Sequence, residues 1–406
     1  MVKFIHTSDW HIGMKANRLG KTAEKIREQR ISSISSVMDK AVEEEVDFVL
    51  IAGDLFENNA VERSVVDTVI DAFREYQEEG IDVYILPGNH DPLVDGSIYQ
   101  EPGWEETENV HVFRDCNRVI ESDIVFHPCP LTQKKSNSDP TENISVNEDN
   151  EKIHIGVAHG TLDIGLTTEP NFPIDPSRAE EEGLDYLALG EWHSWFEQGD
   201  TSQLPITLYP GAHEQTKFDE SDPGNIALVT ITGKKKDRIS KVESIEVGKL
   251  NWMRWTKDIT EAKSLESLID EISDIDDPEN TVLEIYLQGV VSPDLYTQVE
   301  DLKDRVDENF LFFDIETDDL LLVPSKDELM GVIPQELMDV AKDLQSLMSR
   351  DPKVSKLMDM DAEEMSERLE EIRRHASSDK LRIPEDDIIP KRALLELYRL
   401  AEEVKE

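Results

Sequence analysis

The chain has 406 residues, 38% of them hydrophobic, and sets 89 Asp and Glu against 42 Lys and Arg, for a formal net charge of −47 at pH 7. This length suits two domains with real cores, and no apolar run approaches the ~20 residues that span a bilayer, so no membrane-spanning helix is expected. So acidic a surface fits a salt-loaded cytoplasm and repels nucleic acid at low salt, so any DNA contact must come through metals, local basic patches or a partner.

Met1-Val2-Lys3-Phe4-Ile5 reads as the first core strand rather than a secretory leader, and a cytoplasmic protein is expected. Cys116 and Cys129 have no metal-type spacing and read as reduced thiols. Phe4–Thr7, Phe48–Ala52 and Val83–Leu86 are predicted strands. Helices over Thr22–Glu45 and Val61–Glu79 separate them, the second with a core stripe of Val65, Val66, Val69, Ile70 and Phe73. Residues 131–151 are polar and predict a surface loop. Strands resume at Ile153–Ala158, Tyr186–Leu189, Ile206–Tyr209 and Ile226–Ile231, and imply a second sheet packed on the first.

A boundary is expected near Lys249. It separates a catalytic domain, 1–248, from a small α/β domain, 249–333, with helices over Leu265–Ile275 and Asp294–Val306. The strands of that domain are predicted at Val282–Leu287, Phe310–Asp314 and Leu320–Val323. From Pro334 the apolar residues recur at helical spacing, and 334–406 reads as a tail of three amphipathic helices that ends on Leu394, Leu397 and Leu400.

Five of the apolar runs end in metal-competent side chains: Asp9-Trp10-His11, Gly53-Asp54, Gly88-Asn89-His90-Asp91, His159-Gly160 and Glu191-Trp192-His193. Any one of them alone is an ordinary turn. Together, at the carboxyl ends of buried strands, they form a set of carboxylates, imidazoles and a carboxamide suited to Mn²⁺, Fe²⁺ or Zn²⁺.

These motifs resemble the calcineurin-like metallophosphoesterases. His6-Thr7-Ser8-Asp9-Trp10-His11-Ile12-Gly13 is similar to the opening of the DNA double-strand-break repair nucleases called SbcD in bacteria and meiotic recombination eleven elsewhere. The resemblance covers residues 1 to about 215 well. It implies an α-β-β-α two-sheet sandwich with an α/β cap and a helical tail. It also implies two divalent metal ions, with Mn²⁺ expected. One would be held by Asp9, His11, Asp54 and His193, the other by Asp54, Asn89, His159 and the position of Glu191. His90 would face the leaving group as the catalytic acid, with Asp91 orienting it. The family pattern Gly-His-x-His is Gly190-Glu191-Trp192-His193 here, so Glu191 either ligates through oxygen or leaves that position short of a ligand.

Lys15, Arg18, Lys21 and Lys25, followed by Arg27 and Arg30, form the densest basic run near these motifs. It reads as a phosphate-backbone contact for DNA, against the plainer reading of a solvated, ion-paired helix face. Lys234-Lys235-Lys236 with Arg238 reads as a solvated hairpin turn. The resemblance implies a coiled-coil ABC-type ATPase partner docked on the C-terminal helices, and a homodimer. The expected activity is a metal-dependent DNA nuclease of double-strand-break repair. A small-molecule phosphodiesterase or phosphatase on the same metals, and a mainly architectural subunit, are the alternatives.

Overall fold

The computed structural model describes residues 1–322 except 21, 147–150, 200–202, 219, 235–236, 261, 263 and 307–308, together with Ala393. The chain divides into two compact units, Met1–Trp252 and a second beginning at Met253. The tail expected over 334–406 lies, apart from Ala393, outside the described residues. No helix among the described residues is long and apolar enough to cross a membrane.

The first unit opens with β1 (Val2–Thr7), α1 (Thr22–Glu43), β2 (Phe48–Ala52), α2 (Arg63–Arg74), β3 (Asp82–Leu86), α3 (Gly103–Glu106) and β4 (Val110–Val112). It continues with β5 (Val119–Glu121), β6 (Ile124–Cys129), β7 (Ile153–His159), α4 (Arg178–Glu182) and β8 (Tyr186–Gly190). Then come β9 (Phe196–Gln198), β10 (Ile206–Tyr209), β11 (Asn225–Thr232) and β12 (Ile239–Glu246). One sheet has the order β12-β11-β1-β2-β3-β4 and the other β5-β6-β7-β8-β10-β9. In each sheet four strands run parallel, β1 to β4 in one and β6, β7, β8 and β10 in the other.

Parallel strands covered on both faces must be apolar on both, and β2 is buried at every residue. Phe4, Phe48, Leu50 and Tyr84 of the first sheet meet Phe126, Ile155, Val157 and Tyr186 of the second in one core. On the outer face of the first sheet, Ile34, Val37 and Met38 of α1 and Val66, Val69, Ile70 and Phe73 of α2 cover Val49, Ile51 and Ile85. The outer face of the second sheet is covered more thinly, by the short α4 and by loop residues Ile144, Leu162 and Ile174. The result is an α/β fold of two large sheets, as expected for the sandwich.

Local chemistry explains where the elements stop. α1 closes with Glu45 left-handed (φ 50°) and Val46 N donating to the Ala41 carbonyl, a C-terminal motif that satisfies the last carbonyls. α2 ends at Arg74, short of the expected Glu79. Beyond Phe73 the apolar stripe stops and the bonds tighten to Tyr76 N→Phe73 O and Gln77 N→Arg74 O. The segment after residue 131 is the surface loop expected, mostly exposed over its described residues and pinned by buried Thr141 and Ile144 and by the Asp139–Arg178 pair. One loop expectation is corrected: Arg238 is inside rather than solvated, since its guanidinium donates to Asp185 at 2.7 Å and to the Lys152 carbonyl.

The second unit contains β13 (Asn251–Asp258, its first two residues in the first unit), α5 (Glu266–Ser273), β14 (Thr281–Val291), α6 (Pro293–Val306) and β15 (Phe312–Leu322), in a sheet ordered β13-β14-β15. The two strands expected over Phe310–Asp314 and Leu320–Val323 form the single strand β15, with residue 323 outside the described residues. Its parallel pairing with β14 carries it through the acidic stretch, with Glu316, Asp318 and Asp319 exposed while Phe313, Ile315 and Leu320 face the core.

His6 on β1 lies under the second sheet, its Nδ1 2.9 Å from Tyr186 Oη. Burial lowers its pKa from 6.5 to about 3. With the folded value below the unfolded one, the contribution of neutral His6 is complete above pH 6.5. It is lost as pH falls from there toward 3, by up to about 1.4 kcal/mol per pH unit. Denaturant titrations from pH 7 to 4 should therefore give a His6→Gln variant that is less stable at pH 7 but falls with a slope shallower by about one proton.

Candidate metal centre

The metal-competent residues meet where strands of both sheets end. Asp9 and His11 follow β1, Asp54 follows β2, and Asn89 and His90 follow β3. His159 closes β7, and Glu191 and His193 follow β8. Asp9 N donates to the Gly53 carbonyl at 3.1 Å and His11 N to the Asp54 carbonyl at 3.0 Å, so the first two loops are stitched together. Asp9, His11, Asp54 and Glu191 all have positive φ (56°, 44°, 53° and 103°). For non-glycine residues such backbone costs of order 1–3 kcal/mol each and persists only where its surroundings enforce it. Close approach is reserved for glycine: a Cβ on Gly53 would lie 2.1 Å from His159 Nδ1, and one on Gly190 would lie 2.1 Å from the Ala52 carbonyl.

Asp9, His11 and His193 form one group able to hold a cation. His11 Nδ1 donates to Glu57 Oε2 at 3.1 Å and His193 Nδ1 donates to Glu220 Oε1 at 2.7 Å. Each imidazole therefore spends its Nδ1 proton on a carboxylate and presents a lone pair at Nε2. The two Nε2 atoms stand 3.1 Å apart, with Asp9 Oδ1 at 3.8 Å from one and Asp54 Oδ2 at 3.9 Å from the other. Lone pairs so placed repel unless a positive charge lies among them, and carboxylate-backed imidazoles are a recurring feature of metal ligation. Burial lowers the His11 pKa even beside Glu57. At His193 burial is outweighed by the Glu220 bond and the charge of Asp9, and the pKa is raised.

The second group centres on His159, fully buried, whose Nδ1 donates to the Ala52 carbonyl at 2.9 Å. Its Nε2 faces Asp54 Oδ2 and Glu191 Oε2, each at 3.2 Å, and the Asn89 carboxamide at 2.9 Å. Burial opposes a charged imidazole here, but the Asp54 carboxylate outweighs it and holds the His159 pKa well above 6.5. The Asn89 amide can meet this cluster in two ways. With NH₂ inward it donates to Asp54 and Glu191 at 2.9 and 3.0 Å, and its oxygen accepts from Asn171. With oxygen inward, the Asn89 oxygen joins the two carboxylates around His159 Nε2, a set that either the protonated imidazole or a bound cation satisfies. The residues therefore fit a divalent metal at both positions. Glu191 is brought into the cluster, and Asp54 reaches both halves.

His90 lines the cleft beside this centre, its side chain 41% exposed and its Nδ1 donating to the Glu57 carbonyl at 2.9 Å. The expectation for Asp91 is corrected. Asp91 is fully buried and accepts from Phe56 N, Tyr99 Oη and Gly88 N at 2.7–2.9 Å. None of those bonds reaches His90; Asp91 braces the turns, and Glu57 orients His90. Glu57 and Glu220 escaped the sequence reading because each lies off the strand-end pattern: Glu57 sits three residues past Asp54, and Glu220 in an ordinary polar stretch.

Of the basic run, Lys15 lines the cleft, and Arg27 donates to its carbonyl at 3.0 Å. Arg18 lies 5.6 Å from the Phe218 ring centroid and Lys25 is exposed on α1, neither lining the cleft, while Lys21 lies outside the described residues. Lys217, unmarked in the sequence, lines the cleft as well.

Arg30 belongs to the interior rather than to the basic surface. It is 1% exposed and donates to the carbonyls of Glu214 (3.2 Å), Gln215 (3.3 Å) and Trp10. It thereby ties the loop that carries His11 to the loop whose Thr216 bonds His193 Nδ1. With buried bonds from a charged donor at roughly 1.5–3 kcal/mol each, Arg30→Met should lower stability by about 3 kcal/mol in denaturant titration. It should also lower the metal retained per chain on gel filtration. Arg30→Lys keeps the charge but not the fork, and should restore stability only in part.

The model of the calcineurin-like phosphoesterase family matches residues 2–198. The uncharacterized metallophosphoesterase YhaO of Bacillus subtilis (strain 168) is 27% identical over 393 residues, spanning 92% of this chain and 90% of that protein. Two solved structures are similar at 12% identity. Calcineurin-like phosphoesterase YfkN from Bacillus subtilis has a TM-score of 0.37 and a match covering 61% of this chain and 90% of that one. Purple acid phosphatase PPD1 from seeds of yellow lupin (Lupinus luteus) has a TM-score of 0.32, with 60% and 53% covered.

Proposed function

We propose that this chain is a nuclease of the DNA repair branch, hydrolysing phosphodiesters with two divalent metal ions, Mn²⁺ among them; the match of residues 2–198 to the calcineurin-like phosphoesterase family supports a metal-dependent phosphoester hydrolase. Asp9, His11, Asp54 and His193 would hold one ion, and Asp54, Asn89, His159 and Glu191 the other. Bound divalent cations supply Lewis acidity toward phosphate oxygens and activate water for in-line attack. Glu57 and Glu220 hold the Nδ1 atoms of His11 and His193 and so turn each Nε2 toward the ion it would ligate. His90, held by the Glu57 carbonyl, keeps Nε2 for the leaving oxygen and donates its proton there.

The observation that carries the DNA reading is a cleft of ≈ 670 Å³ beside the centre, lined by His90 and flanked by Lys15 and Lys217 on a chain whose net charge is −47. Cations retained beside such a centre suit the phosphates that flank a scissile bond. The Asp9-Trp10-His11-Ile12-Gly13 opening supports the same branch. One observation favours a small phosphodiester instead: Glu57, Glu169 and Glu220 also line the cleft and would repel a long polyanion.

End-labelled duplex, single-stranded DNA and a chromogenic phosphodiester, each with Mn²⁺ or Mg²⁺ at low and molar salt, separate these readings. Mn²⁺-dependent DNA shortening that drops several-fold in Lys15→Glu, with the chromogenic rate unchanged, supports the nuclease. Turnover of the small diester alone replaces it with the second reading. An ABC-type ATPase partner and a homodimer extend the proposal. Pull-down and light scattering of the full chain against a chain ending at 333 test them.

A further inference from the structure

We propose that the two halves of the centre select different metals: the half of Asp9, His11, Asp54 and His193 holds Zn²⁺ tightly, while the half of Asp54, Asn89, His159 and Glu191 exchanges readily and selects Mn²⁺. The inference rests on the two-metal reading above and follows from the donors that surround each position. Around the first stand two imidazole nitrogens and two carboxylates. Around the second stand one imidazole nitrogen, two carboxylates and a carboxamide, because Glu191 Oε2 lies 3.2 Å from His159 Nε2 where a second nitrogen would otherwise be. Imidazole favours zinc, whereas carboxylate and carbonyl oxygens favour manganese and magnesium.

The outer contacts bias the halves the same way. His11 and His193 are each backed by a carboxylate, at 3.1 and 2.7 Å, which makes their Nε2 atoms stronger donors. His159 is backed by the neutral Ala52 carbonyl at 2.9 Å, a weaker support than a carboxylate. Glu191 is also fixed in place rather than trailing at the rim: its backbone N donates to Asp9 Oδ1 and Oδ2 at 3.1 and 3.2 Å, and its Oε2 lies 3.2 Å from His159 Nε2. The same amide thus ties the oxygen-rich half to a ligand of the nitrogen-rich half.

The test is metal stoichiometry and affinity on the chelator-stripped full chain, read by elemental analysis after gel filtration and by Mn²⁺ paramagnetic resonance. One zinc per chain should bind at least about tenfold more tightly than the second, the scale on which surrounding contacts alter metal affinity. Added Mn²⁺ should then fill the second position as an isolated ion with no manganese–manganese coupling. Glu191→His should tighten the second zinc about tenfold or more and exclude manganese. Glu191→Gln should weaken manganese while the first zinc is unchanged. Two zincs of equal affinity in the natural chain overturn the proposal, as does a Glu191→His variant that fills both positions with zinc no more tightly than before. Fewer than two metals under every condition, or an Asp54→Ala variant that still holds two, overturns the two-metal reading itself, and the stoichiometry tells the two failures apart.

Discussion

Asp54→Ala is expected to lose metal and turnover together, the largest single effect available in this chain. Asp54 is 2% exposed, and its Oδ2 lies 3.2 Å from His159 Nε2 and 3.9 Å from His11 Nε2, so it reaches the imidazoles of both halves. Burial alone would raise its pKa, but the neighbouring His159 and His11 reverse this and keep it ionised. Its Oδ1 also accepts His90 N at 2.8 Å, so the same carboxylate fixes the loop that presents the acid. Losing several kcal/mol of charge stabilisation, at 1.36 kcal/mol per decade, predicts a fall in kcat/KM of about 10³-fold or more. Elemental analysis should show less than one metal per chain while far-ultraviolet circular dichroism stays unchanged. Retained metal with normal turnover would rule out Asp54 as the shared ligand.

His90→Ala separates chemistry from metal binding. His90 takes part in neither half of the centre, and its Nδ1 is spent on the Glu57 carbonyl. Metal content should therefore match the natural chain while kcat falls by about 10²–10⁴-fold, the usual range for a positioned general acid. The loss should depend on the leaving group. A nitrophenolate departs without a proton and should be affected little, whereas the alkoxide leaving from DNA should carry the full penalty. A variant that slows both substrates equally would point to a positioning role for His90 instead.

The sequence makes the centre legible because each ligand ends an apolar run. Buried parallel strands announce themselves by continuous Val, Ile and Leu, and the first polar residue after each must lie at the sheet edge. Asp54 after Val49-Leu50-Ile51-Ala52 is the clearest case, and the structure gathers all seven expected metal ligands around one point. What the pattern misses acts through space. Glu57 and Glu220 contact His11 and His193 from loops whose own sequence is ordinary. Arg30 reads as one more cation in a basic run, although its helical register places it on the buried face with Ile26 and Ile34. Asp91 is misjudged for the opposite reason, since its neighbour in sequence, His90, points elsewhere. In the second unit the acidic residues between Phe313 and Leu320 divide the apolar pattern, and only pairing with β14, with a register shift at Thr317–Asp318, shows that one strand continues through them.

The division of ligands between sheets has a mechanical consequence. Asp9, His11, Asp54 and Asn89 hang from one sheet, and His159, Glu191 and His193 from the other, so any ion held among them rivets the two layers of the sandwich at one edge. The rivet tightens with supply. At free metal one hundred times Kd it adds about 2.7 kcal/mol to the folded state, and in chelator it adds nothing. Thermal unfolding of the first unit thus becomes a gauge of metal availability. In a metal-poor cell the sheets would be fastened only by their apolar seam and by cross-sheet bonds such as His159 Nδ1 to the Ala52 carbonyl, and slow loss of the protein would accompany loss of its activity.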